Sequence, residues 1–141
     1  MKDKMYLKKK LSSNWFFLLQ NMICHEFEKI ELEFGKKNKL KPKLFNRIKW
    51  EKSETKNEGG GISATIKNGL VFDKVGVNFS EVSGIFNKNL RSQILGAKIK
   101  PKYWASGISV VAHMKNPKIP AMHLNTRFIV TQKNWFGGGI D

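Results

Sequence analysis

Apolar residues recur at three- and four-residue steps from Trp15 to Phe34, through Leu18, Leu19, Met22, Ile23, Phe27 and Ile30. That is the spacing of one face of a helix, and it predicts an amphipathic helix over residues 13–35. Ser12, Ser13 and Asn14 precede it as N-cap candidates, and Gly35 follows as a stop. Residues 1–10 read as a lysine-rich, solvated lead-in, and residues 36–43, with Pro42, as a basic turn. Residues 44–50 fit a short strand, 51–58 a charged loop, and Gly59, Gly60 and Gly61 a hinge or a close-approach site. Ile62–Ile66 and Leu70–Val77 then read as two strands joined at Asn68-Gly69, a type I′ turn signal. Residues 78–86, with Ser80, Ser83 and Gly84, read as a connecting turn, and 87–102 as a loop with one helical turn.

The alternation is sharpest near the end of the chain. Over Tyr103–His113 one face carries Trp104, Ser106, Ile108, Val110 and Ala112. The other carries Ala105, Gly107, Ser109, Val111 and His113, which places Ser109 and His113 roughly 13 Å apart on one side. Pro117 and Pro120 break pairing and force a loop. Met122–Thr131 resumes the alternation, with Met122, Leu124, Thr126, Phe128 and Val130 on a nearly apolar face and His123, Asn125 and Arg127 opposite. Those three side chains can each donate hydrogen bonds to a carboxylate, and His123 can also move a proton near neutral pH. A polar sheet face with ordinary cross-strand pairs explains the same pattern. So does a zinc site using His113 and His123, although no third ligand stands at a recognised spacing. The tail, Trp135 and Phe136 followed by Gly137–Gly139 and Asp141, reads by itself as an unordered terminus.

Composition narrows the picture. The 141 residues suffice for one domain with a real core, and 40% hydrophobic content argues against wholesale disorder. No apolar run approaches a membrane span, no secretory cleavage pattern follows the basic start, and the single Cys24 fits a reducing, cytoplasmic setting. The formal charge of +15 suits an anionic ligand, but the lysines are scattered. Arginine, the residue suited to reading bases and phosphates, occurs only as Arg47, Arg91 and Arg127. A non-catalytic polyanion- or RNA-binding module is the alternative reading. Phe128, on the face opposite Arg127, disfavours it, because RNA readers interleave aromatic and basic groups on one face. The triple glycine lacks the spacing of a phosphate-binding loop.

Four stretches resemble the oxygen-dependent coproporphyrinogen III oxidases of haem biosynthesis. They are GGGIS at Gly59–Ser63, NGLVFDKVGVNFSEVSG at Asn68–Gly84, GISVVAHMKNPKIPAMHLNTRF at Gly107–Phe128 and WFGGGID at Trp135–Asp141. The resemblance implies an α+β fold, a large antiparallel sheet flanked by helices, of which residues 1–141 form the N-terminal part as a single domain. It implies oxidative decarboxylation of two propionates of coproporphyrinogen III to vinyl groups, giving protoporphyrinogen IX. Molecular oxygen is then the co-substrate, with no organic cofactor. By the same resemblance His123 is a proton donor and Asp141 binds the pyrrole N–H groups and promotes their deprotonation. Ser109, Asn125, Thr126 and Arg127 bind the tetrapyrrole, and His113 is the ligand of a divalent metal. The implied partners are a small-molecule tetrapyrrole and, in the full-length proteins, a second copy of the chain, with no nucleic acid. Met114, Ala121 and Asp73 depart from the proline, threonine and glutamate usual in the family. Family members are about twice as long, so a truncated product, and at the extreme an inactive remnant, is expected.

Overall fold

The computed structural model describes residues 2–141. A long helix, α1 (Lys2–Asn38), is followed by six strands. These are β1 (Asn46–Glu51), β2 (Gly59–Lys67), β3 (Phe72–Ile85), β4 (Lys102–Met114), β5 (Met122–Val130) and β6 (Asn134–Ile140). The strands form one antiparallel sheet in sequence order, each bonded to its neighbours in the chain. The α+β expectation holds, with α1 packed on one face of the sheet. No helix among the described residues is long and apolar enough to cross a membrane.

The helix departs from its sequence reading in extent and in orientation. The lead-in is helical from Lys2, because lysine is a good helix former and neither glycine nor proline interrupts the chain before Gly35. Ser12 and Ser13 do not cap it. Ser12 Oγ donates back to the Lys8 carbonyl at 2.7 Å, and the Ser13 hydroxyl donates to the Glu81 carboxylate on β3. Nor does Gly35 stop it: the last turn runs to Asn38, and Lys39 takes the left-handed conformation (φ 55°) that ends it. Gly35 instead lets the chain fold back tightly, since a Cβ there would meet the Leu40 carbonyl oxygen at 2.8 Å.

The buried stripe of α1 includes Ser12, Ser13, Phe16, Gln20, Cys24 and Glu31, with Leu19, Ile23 and Phe27 half-buried beside it. Trp15, Leu18, Met22, Ile30 and Phe34, expected to face the core, are turned outward. The helix is apolar around most of its circumference, so spacing alone could not choose a face. Two polar side chains choose it. Gln20 Nε2 donates to the carbonyls of Ile62 and Val77, both at 2.8 Å, tying α1 to β2 and β3. The Glu31 carboxylate, fully buried, accepts the N–H groups of Leu70, Val71 and Phe72 at 2.8–3.0 Å. Hydrogen bonds to a charged group contribute about 1.5–3 kcal/mol each, so Glu31 fixes the β2–β3 connection to the helix.

That capture also changes the turn. The expected two-residue type I′ hairpin is a four-residue connection in which only Asn68 has positive φ (52°). Asn68 N–H closes it on the Asp73 carbonyl at 2.7 Å. The expected connecting turn at 78–86 is instead the second half of β3, which pairs along its length with β4. Its serines and glycine are strand residues whose small side chains fit the pairing. Ser80 carbonyl, for example, accepts the Ser106 hydroxyl at 2.8 Å. The tail is likewise ordered, as β6 on β5. Gly60 is a close-approach site, because a Cβ there would lie 2.0 Å from the Trp50 carbonyl oxygen.

The core lies between α1 and the sheet: Phe16 and Cys24 pack on Ala64, Ile66, Val75, Val77, Ile108, Val110, Ala112 and Phe128. Each fully buried Val, Ile or Phe contributes about 1.5–3 kcal/mol. The face of the sheet away from α1 is left open.

Candidate active site

Antiparallel register places residues directly opposite one another on the same face, so the open face can be read as rows running across the strands. One row is Gly61, Ser80, Gly107, Arg127 and Gly137. The next is Ser63, Asn78, Ser109, Asn125 and Gly139. The third is Thr65, Gly76, Val111 and His123, completed by Asp141. Trp50 and Trp135 stand on the same face near the Arg127 end.

The third row brings two of the predicted site residues together. His123 and Asp141 exchange both backbone hydrogen bonds (2.9 and 3.0 Å), and His123 Nδ1 lies 3.0 Å from Asp141 Oδ1. With Nδ1–H donating to the carboxylate, Nε2 is left to accept or return a proton. Asp141 keeps Oδ2 for a second donor. It is the only acidic side chain in the strand rows of this face.

Ser109 and Asn125 are direct cross-strand partners one row away, and Arg127 lies one row further on. Asn78 pairs with Ser109 from the other side and accepts the Ser63 hydroxyl at 2.8 Å. With Oδ1 so engaged, Asn78 keeps its amide N–H groups without a hydrogen-bond partner among the described residues. Arg127 has no carboxylate within ion-pairing distance among the described residues. Glycines keep the rows shallow: a Cβ on Gly139 would touch nothing within 4 Å, and one on Gly76 or Gly137 would make only ordinary contacts. The result is a flat surface lined with donors, with one carboxylate–imidazole pair set into it.

Not every predicted site residue joins this group. Thr126 pairs with Ile108 and lies on the covered face beside Phe128, so the sheet separates its side chain from Asn125 and Arg127. His113 is on the open face, one row beyond His123, and pairs with Lys74. Among the described residues no group of three or more His, Cys, Asp or Glu is placed to hold a metal ion. Among the described residues His113 is a lone imidazole beside an ammonium, an arrangement that does not by itself fit a divalent cation. Ser63 and Asn78 were missed from the sequence, although the alternation of Ile62–Ile66, continued through β3, points both toward Ser109. His25 is exposed on α1, and Cys24 is fully buried, its thiol pushed up to about 11 by burial. Neither belongs to the site.

A cavity of about 730 Å³ lies elsewhere. It sits at the β1–β2 hairpin between Phe17, Trp50, Glu51, Ile62 and Phe79, and none of the predicted site residues lines it. The candidate site is a surface, not a hole.

The sequence pattern of the coproporphyrinogen III oxidase family matches residues 12–141. The oxygen-dependent coproporphyrinogen-III oxidase of Rickettsia typhi (strain ATCC VR-144 / Wilmington) is 52% identical over 133 residues, which is 94% of this chain and 46% of that protein. The enzyme of the same name from Rickettsia bellii (strain RML369-C) gives the same figures. That from Rickettsia africae (strain ESF-5) is 49% identical over the same coverage. The chain thus spans about half the length of these relatives. Matched over nearly all of its own residues, including every strand of the open face, the chain belongs to the coproporphyrinogen III oxidase family.

Proposed function

We propose that this chain is the N-terminal part, a single domain, of an enzyme that oxidatively decarboxylates two propionates of coproporphyrinogen III to vinyl groups, with molecular oxygen as co-substrate. In each half-reaction a propionic acid side chain and O2 become a vinyl group, CO2 and H2O2. The C–COOH bond breaks, one β-hydrogen leaves, and two electrons pass to oxygen. The observation that carries this reading is the His123–Asp141 pair, set at 3.0 Å among the donors Ser109, Asn125 and Arg127 on one open face.

The chain's own groups divide the work. Arg127 holds a substrate carboxylate through paired N–H donors, and Asn125 and Ser109 add single bonds beside it. Asp141 Oδ2 accepts pyrrole N–H groups; proton loss there makes the ring richer in electrons and easier for oxygen to attack. His123, oriented by Asp141 Oδ1, carries the proton through Nε2. Holding one propionate in place selects which side chain reacts.

The test is aerobic incubation with coproporphyrinogen III, following CO2 release and protoporphyrin fluorescence after oxidation. Oxygen-dependent turnover is expected, and Asp141→Asn should lower it about 100-fold or more while still binding substrate. Unchanged turnover by Asp141→Asn would remove the carboxylate from the mechanism.

A further inference from the structure

The open face has a fourth row, and it is cationic. Lys67 of β2 stands opposite Lys74 of β3, which stands opposite His113 of β4. Directly opposed residues hold their Cβ atoms about 4.5–5.5 Å apart, and like charges at that spacing repel. A row that only had to be solvated would set an acid or a threonine against each lysine. Here neither lysine has a carboxylate within ion-pairing distance among the described residues. The nearest acid in sequence, Asp73, falls where the register shifts between Phe72 and Lys74, and so has no place in the row. All three side chains are exposed.

This row lies at the end of the face away from Arg127. Along β4 the rows of Arg127 and of the lysines are marked by Gly107 and His113, six residues or roughly 20 Å apart. Between them lie the Ser109–Asn125 and His123–Asp141 rows. The face therefore has a cation at each end, donors in the middle and one carboxylate already engaged by its histidine.

We propose that Lys67 and Lys74, with His113 as an N–H donor, form a second carboxylate-binding site, opposite Arg127. A flat ligand with carboxylates on opposite edges would then lie across His123 and Asp141, held at both ends. The assignment rests on the tetrapyrrole reading above and makes His113 a donor to an anion, in place of a metal ligand. Repulsion between the two ammonium groups is relieved when the anion sits between them.

The test is quenching of tryptophan fluorescence in the full chain by two porphyrins. Coproporphyrin III has propionates around the whole ring; deuteroporphyrin IX has two, on one edge. The Lys67→Met/Lys74→Met protein should bind coproporphyrin III about tenfold more weakly, and the Lys67→Arg/Lys74→Arg protein should recover the loss. Deuteroporphyrin IX needs only one cationic end, so its affinity should change by less than about threefold. Unchanged coproporphyrin III affinity in the Met pair, with affinity lost in Arg127→Met, would overturn this site and leave the tetrapyrrole reading standing. A wild-type chain that binds neither porphyrin would overturn both. Binding of Mn2+ alone that His113→Ala abolishes would overturn the role given to His113.

Discussion

On the covered face of the sheet, the buried amide and carboxylate of α1, Gln20 and Glu31, are spent on the backbone of the sheet and its connections, whereas on the open face the polar side chains mostly face one another and solvent. Gln20 and Glu31 satisfy two carbonyls and three N–H groups between them. Ser109, Asn125 and Arg127, by contrast, have no side-chain partner among the described residues. The same strands make both faces, since alternate residues point to opposite sides. The difference shows which polar residues hold the fold together and which remain available to a ligand. Buried polar groups must be paired to be tolerated, while exposed donors cost nothing to leave waiting.

The covered face depends most heavily on Glu31. Replacing it with alanine leaves three buried N–H groups without an acceptor and should cost about 3 kcal/mol or more in urea unfolding. A loss below about 1 kcal/mol would mean that the β2–β3 connection is held by other contacts. Gln20→Leu should cost less, about 1–2 kcal/mol, because the change also removes Gln20 Oε1, a buried oxygen with no partner. On the open face the pattern should invert. Arg127→Met should leave stability within about 0.5 kcal/mol yet weaken porphyrin binding about tenfold. Gly139→Val, where a side chain meets nothing, should fold normally and obstruct the ligand; weakened folding with normal binding would place the ligand elsewhere. The smallest effect is a pH dependence from Cys24. Its thiol is raised from 9.0 to about 11 in the folded chain, so the unfolded chain loses the proton first. Stability should be level below pH 9 and fall between pH 9 and about 11, a decline that Cys24→Ala removes.

Much of the open face was legible in the sequence because strands β4 and β5 alternate cleanly. His123, Asn125 and Arg127 were assigned one side and Thr126 the other, and register carries Ser109 and His113 to the first side. Asp141 was harder to place. Its glycine-rich approach looks like a loose end until β6 pairs with β5, and only that pairing brings it to His123. The resemblance of WFGGGID to a family motif singled out Asp141 without saying what it touches. The covered side was less legible. An helix apolar on nearly all sides gives no preferred face by period, and the residues that decide it, Gln20 and Glu31, look like solvent positions in the sequence. The second half of β3 was hidden for a related reason: Ser80, Ser83 and Gly84 have turn-like chemistry, and only the length of β4 opposite them keeps them extended.

The four tryptophans offer the most direct test of the claim that ligand binds the open face. Trp50 and Trp135 lie on it, Trp104 packs against Phe128 on the covered face, and Trp15 is on the outside of α1. Their indole N–H resonances should be followed while coproporphyrin III is added to the 15N-labelled chain. Trp135 and Trp50 should shift, and Trp15 and Trp104 should stay in place. A shift of Trp15 with Trp135 unmoved would place the ligand on the helix side and not on the open face.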